Sequence, residues 1–166
     1  MAVTLTLRLE GDTLSPAVAA MARRAGDLSP AMDAIASYML SETQQRFEDQ
    51  RAPDGAAWKP SKAATEEGRK TLIASARLLQ SLVGASDATS AEVGTNVIYA
   101  AIHNEGGTIR PKTQDDGTPH VLTRALRTPF GPRASVTLPR RQFIGFGPED
   151  PAEIGMRLVR HLEGAA

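Results

Sequence analysis

Helices and short antiparallel strands in separate runs, an α+β arrangement, are what the apolar pattern of this chain specifies. Three observations carry that expectation. Met32, Ile35, Ala36, Met39, Leu40, Thr43 and Phe47 recur at helical spacing through about Gln50. Several short stretches are alternating or β-prone and sit between Gly, Pro, Asp and Asn residues. Strands and helices do not alternate as βαβ units, and no internal repeat or heptad seam is present. The expected architecture is a long helix and a terminal helix packed on a small antiparallel sheet, with an extended hairpin-like arm. At 166 residues, one domain spanning 1–166 is expected.

Val3, Leu5, Leu7 and Leu9 alternate with Thr4, Thr6 and Arg8, the pattern of a half-buried strand, and Gly11-Asp12 is a turn. Ser15-Pro16 reads as N-cap and first helical residue, with Val18, Met21, Ala22 and Ala25 on one face and Gly26 as the stop. Ser29-Pro30 gives the same start signal for the long helix, about Pro30 to Gln50, which ends before the turn Pro53-Asp54-Gly55. Residues 52–70 are expected to be mostly loop around Trp58, the one tryptophan. Leu72, Ile73, Ala76 and Leu79 form a short helical stripe. Leu82-Val83 begins a strand that pairs with Ala91 to Thr95 through an Asp87-Ala88-Thr89 turn.

A polar turn then leads into Tyr99-Ala100-Ala101-Ile102-His103, one or two helical turns with Tyr99, Ile102 and His103 on one face. Gly106-Gly107 ends it where positive φ is needed. Residues 108–137 contain Pro111, Gly117, Pro119, Pro129, Gly131 and Pro132. A segment of that length without regular structure is commonly functional or mobile. Val121 to Leu126 and Ala134 to Leu138 are expected as the arms of an extended hairpin, and Gln142 to Phe146 as a further strand. Asp150 is the expected cap of the last helix, with Pro151 at its first position, Glu153 completing a capping box and Gly164 ending it.

The 19 basic and 19 acidic residues cancel, which argues against bulk nucleic-acid affinity. Their distribution is uneven. Residues 1–109 hold ten basic and thirteen acidic side chains, whereas 110–141 hold seven basic against Asp115 and Asp116. Cysteine is absent, so disulfides and thiolate chemistry are excluded. No apolar run approaches the ~20 residues of a membrane span, and the alternating start reads as no secretion signal.

No residue set announces catalysis. His103, His120 and His161 are scattered, and HExxH, CxxC and GxSxG are missing, so no metal, cofactor or catalytic residue is expected. His103 with Glu105 could form an acid–base pair in a cleft, the basis of an alternative reading as a small toxin-like hydrolase. A helix-end histidine bonded to backbone or a carboxylate is the simpler account. Arg140-Arg141 beside Phe143 could contact phosphate, which supports a second alternative, a DNA-binding accessory protein using the basic segment. A solvated basic turn, or salt bridges to an acidic partner surface, fits the neutral chain better.

The order of several pieces resembles the phage virion-morphogenesis family, which contains the tail completion proteins of Mu-like and related contractile-tailed phages. They are Asp27-Leu28-Ser29-Pro30, Arg46-Phe47, Pro53-Asp54-Gly55, Trp58-Lys59-Pro60, Leu72-Ile73-Ala74-Ser75 and Leu78-Leu79-Gln80-Ser81-Leu82. Val93-Gly94-Thr95, Tyr99 to His103 and Leu138-Pro139-Arg140-Arg141-Gln142-Phe143-Ile144-Gly145 follow. Ala76 stands where such proteins commonly have glycine, a change that a helix would welcome.

The resemblance implies a structural subunit of the virion neck that completes the tail and permits head–tail joining. It implies a homo-oligomeric ring, expected as a hexamer. The expected partners are the tail tube or tail terminator and the head connector, with DNA only as passing cargo. Phe47, Trp58, Tyr99, His103, Gly106, Gly107, Arg140, Arg141 and Phe143 are the expected structural and assembly residues.

Overall fold

The structure, a computed structural model, describes residues 16–110, 126–128, 131–133 and 135–164. The expected strand over Val3 to Leu9, its turn and the Ser15 cap lie outside the described residues.

Helix α1 (Pro16–Ala25) ends at Gly26, whose N–H donates to Ala22 O and Arg23 O. Helix α2 (Ser29–Asp49) starts one residue earlier than its Ser-Pro signal indicated. Ser29 does not cap it. The Asp27 carboxylate accepts the Ser29 N–H at 3.0 Å, an Asx arrangement that turns the chain into the helix. Gln50 closes α2 in the left-handed conformation. Its side-chain amide then ties two segments together: Nε2 donates to Phe47 O and Thr71 O, and Oε1 accepts the Thr71 N–H.

The turn at Pro53-Asp54-Gly55 is present, with Gly55 at φ 83 and Asp54 accepting from Ala56 N–H. The loop expected over 52–70 contains a helix, α3 (Lys62–Glu67). Ser61 Oγ caps it by accepting the Ala64 N–H, and Gly68 stops it at φ 66. The stripe Leu72 to Leu79 is helical only in α4 (Arg77–Gln80). Leu72 and Ala76 have positive φ, which no α-helix accommodates, so residues 71–76 turn instead of coiling.

Strands β1 (Leu82–Ser86) and β2 (Ala91–Thr95) form the expected antiparallel hairpin, in register from Leu82 opposite Thr95 to Ser86 opposite Ala91. Asp87 sets the turn by accepting from Thr89 N–H and Ser90 N–H. Helix α2 lies across both strands. The contact is close because Gly84 has no side chain: a Cβ there would stand 3.1 Å from Ala36 O.

Helix α5 (Ala100–Glu105) is followed by β3 (Gly107–Ile109). Strands β4 (Leu126–Thr128) and β5 (Gly131–Arg133) pair with each other, and β6 (Val136–Leu138) pairs antiparallel with β3. This corrects the expected hairpin. Val136–Leu138 pairs with Gly107–Ile109, where Gly106 turns the chain back against Leu138 and Arg140, and Leu126 pairs with Arg133 instead of with the stretch ending at Leu138. Residues 121–125 lie outside the described residues.

Helix α6 (Asp150–Glu163) packs on α1 and α2 and ends at Gly164. His161 Nε2 lies 3.1 Å from Arg24 O and 2.9 Å from Asp27 O, so it donates to the end of α1. The core gathers Phe47, Trp58, Leu78, Leu82, Val97, Ala100 and Phe143. On α2 the buried residues are Ala31, Ile35, Ala36, Thr43, Arg46 and Phe47, whereas Met32 and Met39 are half-buried.

Candidate functional site

The residues singled out from sequence converge on one segment, 141–145. Most of it falls within Gln142 to Phe146, which was expected as a strand. In an extended chain, alternate side chains face the same way. Arg141 and Phe143 therefore point inward together, and both are buried. Yet the segment joins no sheet, because side chains occupy the backbone groups that a neighbouring strand would have used.

Those side chains come from three places. Asn104 Oδ1, at the end of α5, accepts both the Phe143 N–H at 3.0 Å and the Ile144 N–H at 3.1 Å. Trp58 Nε1 donates to Gln142 O at 2.9 Å. Arg46 Nη1 donates to Phe143 O at 3.0 Å and Gly145 O at 2.7 Å. One backbone bond completes the set, from Arg141 N–H to His103 O at 2.8 Å. Unpaired buried backbone groups are costly, so six bonds to four donors and acceptors outside any ladder fix this segment firmly.

Three aromatic rings close the junction. Phe47 and Phe143 are wholly buried, with ring centroids 5.2 Å apart. Trp58 meets Phe47 edge-on at 5.3 Å and 89°. These are the separations at which aromatic pairs attract through their quadrupoles as well as by burial.

Arg46 continues into a polar cluster. Its Nη2 donates to Asp150 Oδ2 at 3.0 Å. The same carboxylate accepts the Tyr38 hydroxyl at 2.8 Å and the Gly147 N–H at 2.6 Å. Burial, then the adjacent Asp150, pushes the Tyr38 phenol well above its ordinary pKa. Asp150 thus does not cap α6 as a capping box would; Glu149 holds the cap position without a side-chain bond. The carboxylate is committed to Arg46 and Tyr38 instead. Tyr38 and Asn104 were given no role by the sequence, Arg46 entered only as part of the Arg46-Phe47 pair, and Asp150 only as a helix cap. A signal for Arg46 existed: it falls three residues after Thr43 and seven after Met39, on the inward face of α2.

The turn at Gly106-Gly107 stands as expected. Gly106 has φ 73 and Gly107 φ 143. A Cβ on Gly106 would lie 2.7 Å from Arg140 N, and one on Gly107 would lie 2.8 Å from Ile102 Cδ1. Tyr99 and His103 meet edge-on with centroids 5.8 Å apart. The imidazole is half-buried, and its Nδ1 has no hydrogen-bond partner among the described residues. Burial first, and the charge of Arg141 second, lower its pKa. Glu105 does not pair with His103; its carboxylate accepts from Asn104 Nδ2. The expected basic turn also divides. Arg140 is exposed and donates to Gln142 Oε1, whereas Arg141 is only 4 % exposed.

Fold and junction together define a small α+β protein whose inward polar groups are spent on anchoring an extended segment between helices. A family model described as the phage virion morphogenesis family matches residues 9–163. The chain belongs to that family, and its role lies in building the phage particle. No curated protein and no solved structure matches it. No helix among the described residues is long and apolar enough to cross a membrane.

Proposed function

We propose that the protein is a structural subunit of the phage neck that completes the tail and permits head–tail joining, acting as a ring of like subunits, a hexamer by preference. It works by binding and not by catalysis, and Trp58, Tyr99, His103 and Phe143 are structural anchors. Its neighbours are the tail tube or tail terminator on one side and the head connector on the other, with DNA only passing through.

The observation that carries this reading is the clasp formed by β3 and β6. Ile109, the last residue of β3, stands directly opposite Val136, the first residue of β6. The Thr108 and Thr137 hydroxyls sit 2.9 Å apart across the clasp. Between them lies the basic stretch with the β4–β5 hairpin, which pairs with no other strand among the described residues. A segment closed at its base can be offered to a neighbouring subunit at little cost to the body that carries it. Residues 1–109, with thirteen acidic and ten basic side chains, supply the opposite charge on the next copy. Heterologous contacts of this kind close into a ring when the rotation permits.

Replacing residues 112–135 by a short Gly-Ser bridge tests it. The clasp strands are retained, so circular dichroism should report a folded chain, while an in vitro assay should show failure to join tails to heads. Normal joining by the deletion variant would sink the reading.

A further inference from the structure

Two buried arginines approach Phe143, and the fold treats them differently. Arg46 has three acceptors, including the Asp150 carboxylate. Arg141 has one for its side chain: Nε donates to Lys59 O at 2.7 Å. Its two terminal nitrogens have no hydrogen-bond or ion-pair partner among the described residues, yet they are not sealed from solvent.

A guanidinium does not shed its proton to escape burial. A buried charge without a counter-ion is costly, so a group that completes it is to be expected. His103 does not supply one. Its carbonyl takes the Arg141 N–H, and an imidazole carries no negative charge to offer. The site therefore presents one positive charge through a planar pair of N–H donors.

We propose that Arg141 is an assembly socket whose terminal nitrogens receive an Asp or Glu carboxylate from a neighbouring copy of this chain. The proposal rests on the ring reading above. A planar fork in a nearly closed setting suits a planar carboxylate held by two parallel bonds. A DNA backbone would need many cations on one face, whereas the chain has zero net charge and Arg140 is already turned to Gln142. The complementary group is available. Asp33 on α2 and Glu92 on β2 are exposed carboxylates with no hydrogen-bond or ion-pair partner among the described residues. A socket on one surface and a carboxylate on another make a head-to-tail contact, the kind that closes a ring.

The test uses the full chain as wild type, R141M, R141K, D33N and E92Q. Sedimentation velocity over a wide concentration range gives self-association, and thermal melting of dilute protein gives monomer stability. R141M removes an unpaired buried charge, so its monomer should melt no lower than wild type. Its self-association should weaken at least about tenfold. R141K should fall between, and D33N or E92Q should weaken association while leaving the melt unchanged.

Association of R141M equal to that of an associating wild type would overturn the socket and leave the ring standing. A wild type that stays monomeric throughout would overturn the ring reading itself. Loss of duplex DNA binding by R141M with self-association unchanged would make this a phosphate site and overturn the proposal. Should R141M fail to fold, unchanged association in R141K, D33N and E92Q would overturn it equally.

Discussion

Arg46 and Asp150 stand 104 positions apart in the chain and meet at 3.0 Å, each side chain with only 10 % of its surface exposed. This pair fastens the start of α6 to the end of α2, and Arg46 simultaneously holds the carbonyls of Phe143 and Gly145. Three separate parts of the chain are thus locked by one guanidinium.

Removing either partner leaves the other charge buried and unpaired. Arg46→Ala or Asp150→Ala should each cost about 3–5 kcal/mol. The double variant should cost clearly less than the sum, because each single loss contains the same broken pair. Urea denaturation followed by the fluorescence of Trp58, the one tryptophan, measures all three. Additive losses would show that the two residues act independently.

The pair also shows what sequence could and could not reveal. The long α2, the β1–β2 hairpin with its Asp87 turn, the Gly106-Gly107 stop and the end of α6 at Gly164 were all legible, because each is written in residues close together. Arg46 was not read as buried, since an arginine's local pattern is that of a surface residue until a distant Asp150 folds against it. The stretch Gln142 to Phe146 looked like a strand for a similar reason. Its apolar content is right, but its hydrogen-bond partners are Asn104, Trp58 and Arg46, which spacing within the segment cannot show. The extra helix α3 was hidden by the Pro and Gly residues around it, although Ser61 and Gly68 mark its two ends.

Backbone geometry gives a prediction of opposite signs. Gly106 has φ 73 and ψ −179, a region open essentially to glycine alone. Gly106→Ala should destabilise by about 1–3 kcal/mol, and the clash with Arg140 N adds to the strain. Ala76, at φ 53, holds a left-handed conformation outside any helix, so the advantage of alanine expected there does not apply. Ala76→Gly should be neutral or stabilise by up to about 1 kcal/mol. Chemical denaturation midpoints decide both, and a destabilised Ala76→Gly would contradict the assigned backbone.

His103 makes stability depend on pH in a defined direction. Its pKa is lowered by folding from 6.5, so below that value the unfolded chain takes up the proton before the native one does. Stability should therefore fall as pH drops through 6.5 and level off below the folded pKa. His103→Gln should keep the fold and the assembly while flattening that slope. Denaturation midpoints across this pH range check it, and an unchanged slope in the variant would assign the dependence elsewhere. A saturable hydrolytic activity lost in the same variant would overturn the non-catalytic reading.

The most direct measurement of the central claim is a single-particle reconstruction of the intact virion with this chain assigned. The account predicts a closed ring of copies at the junction of tail and head, with the segment between β3 and β6 lying on the adjacent copy or on a neck protein. Copies found elsewhere in the particle, or absent from it, would contradict the account.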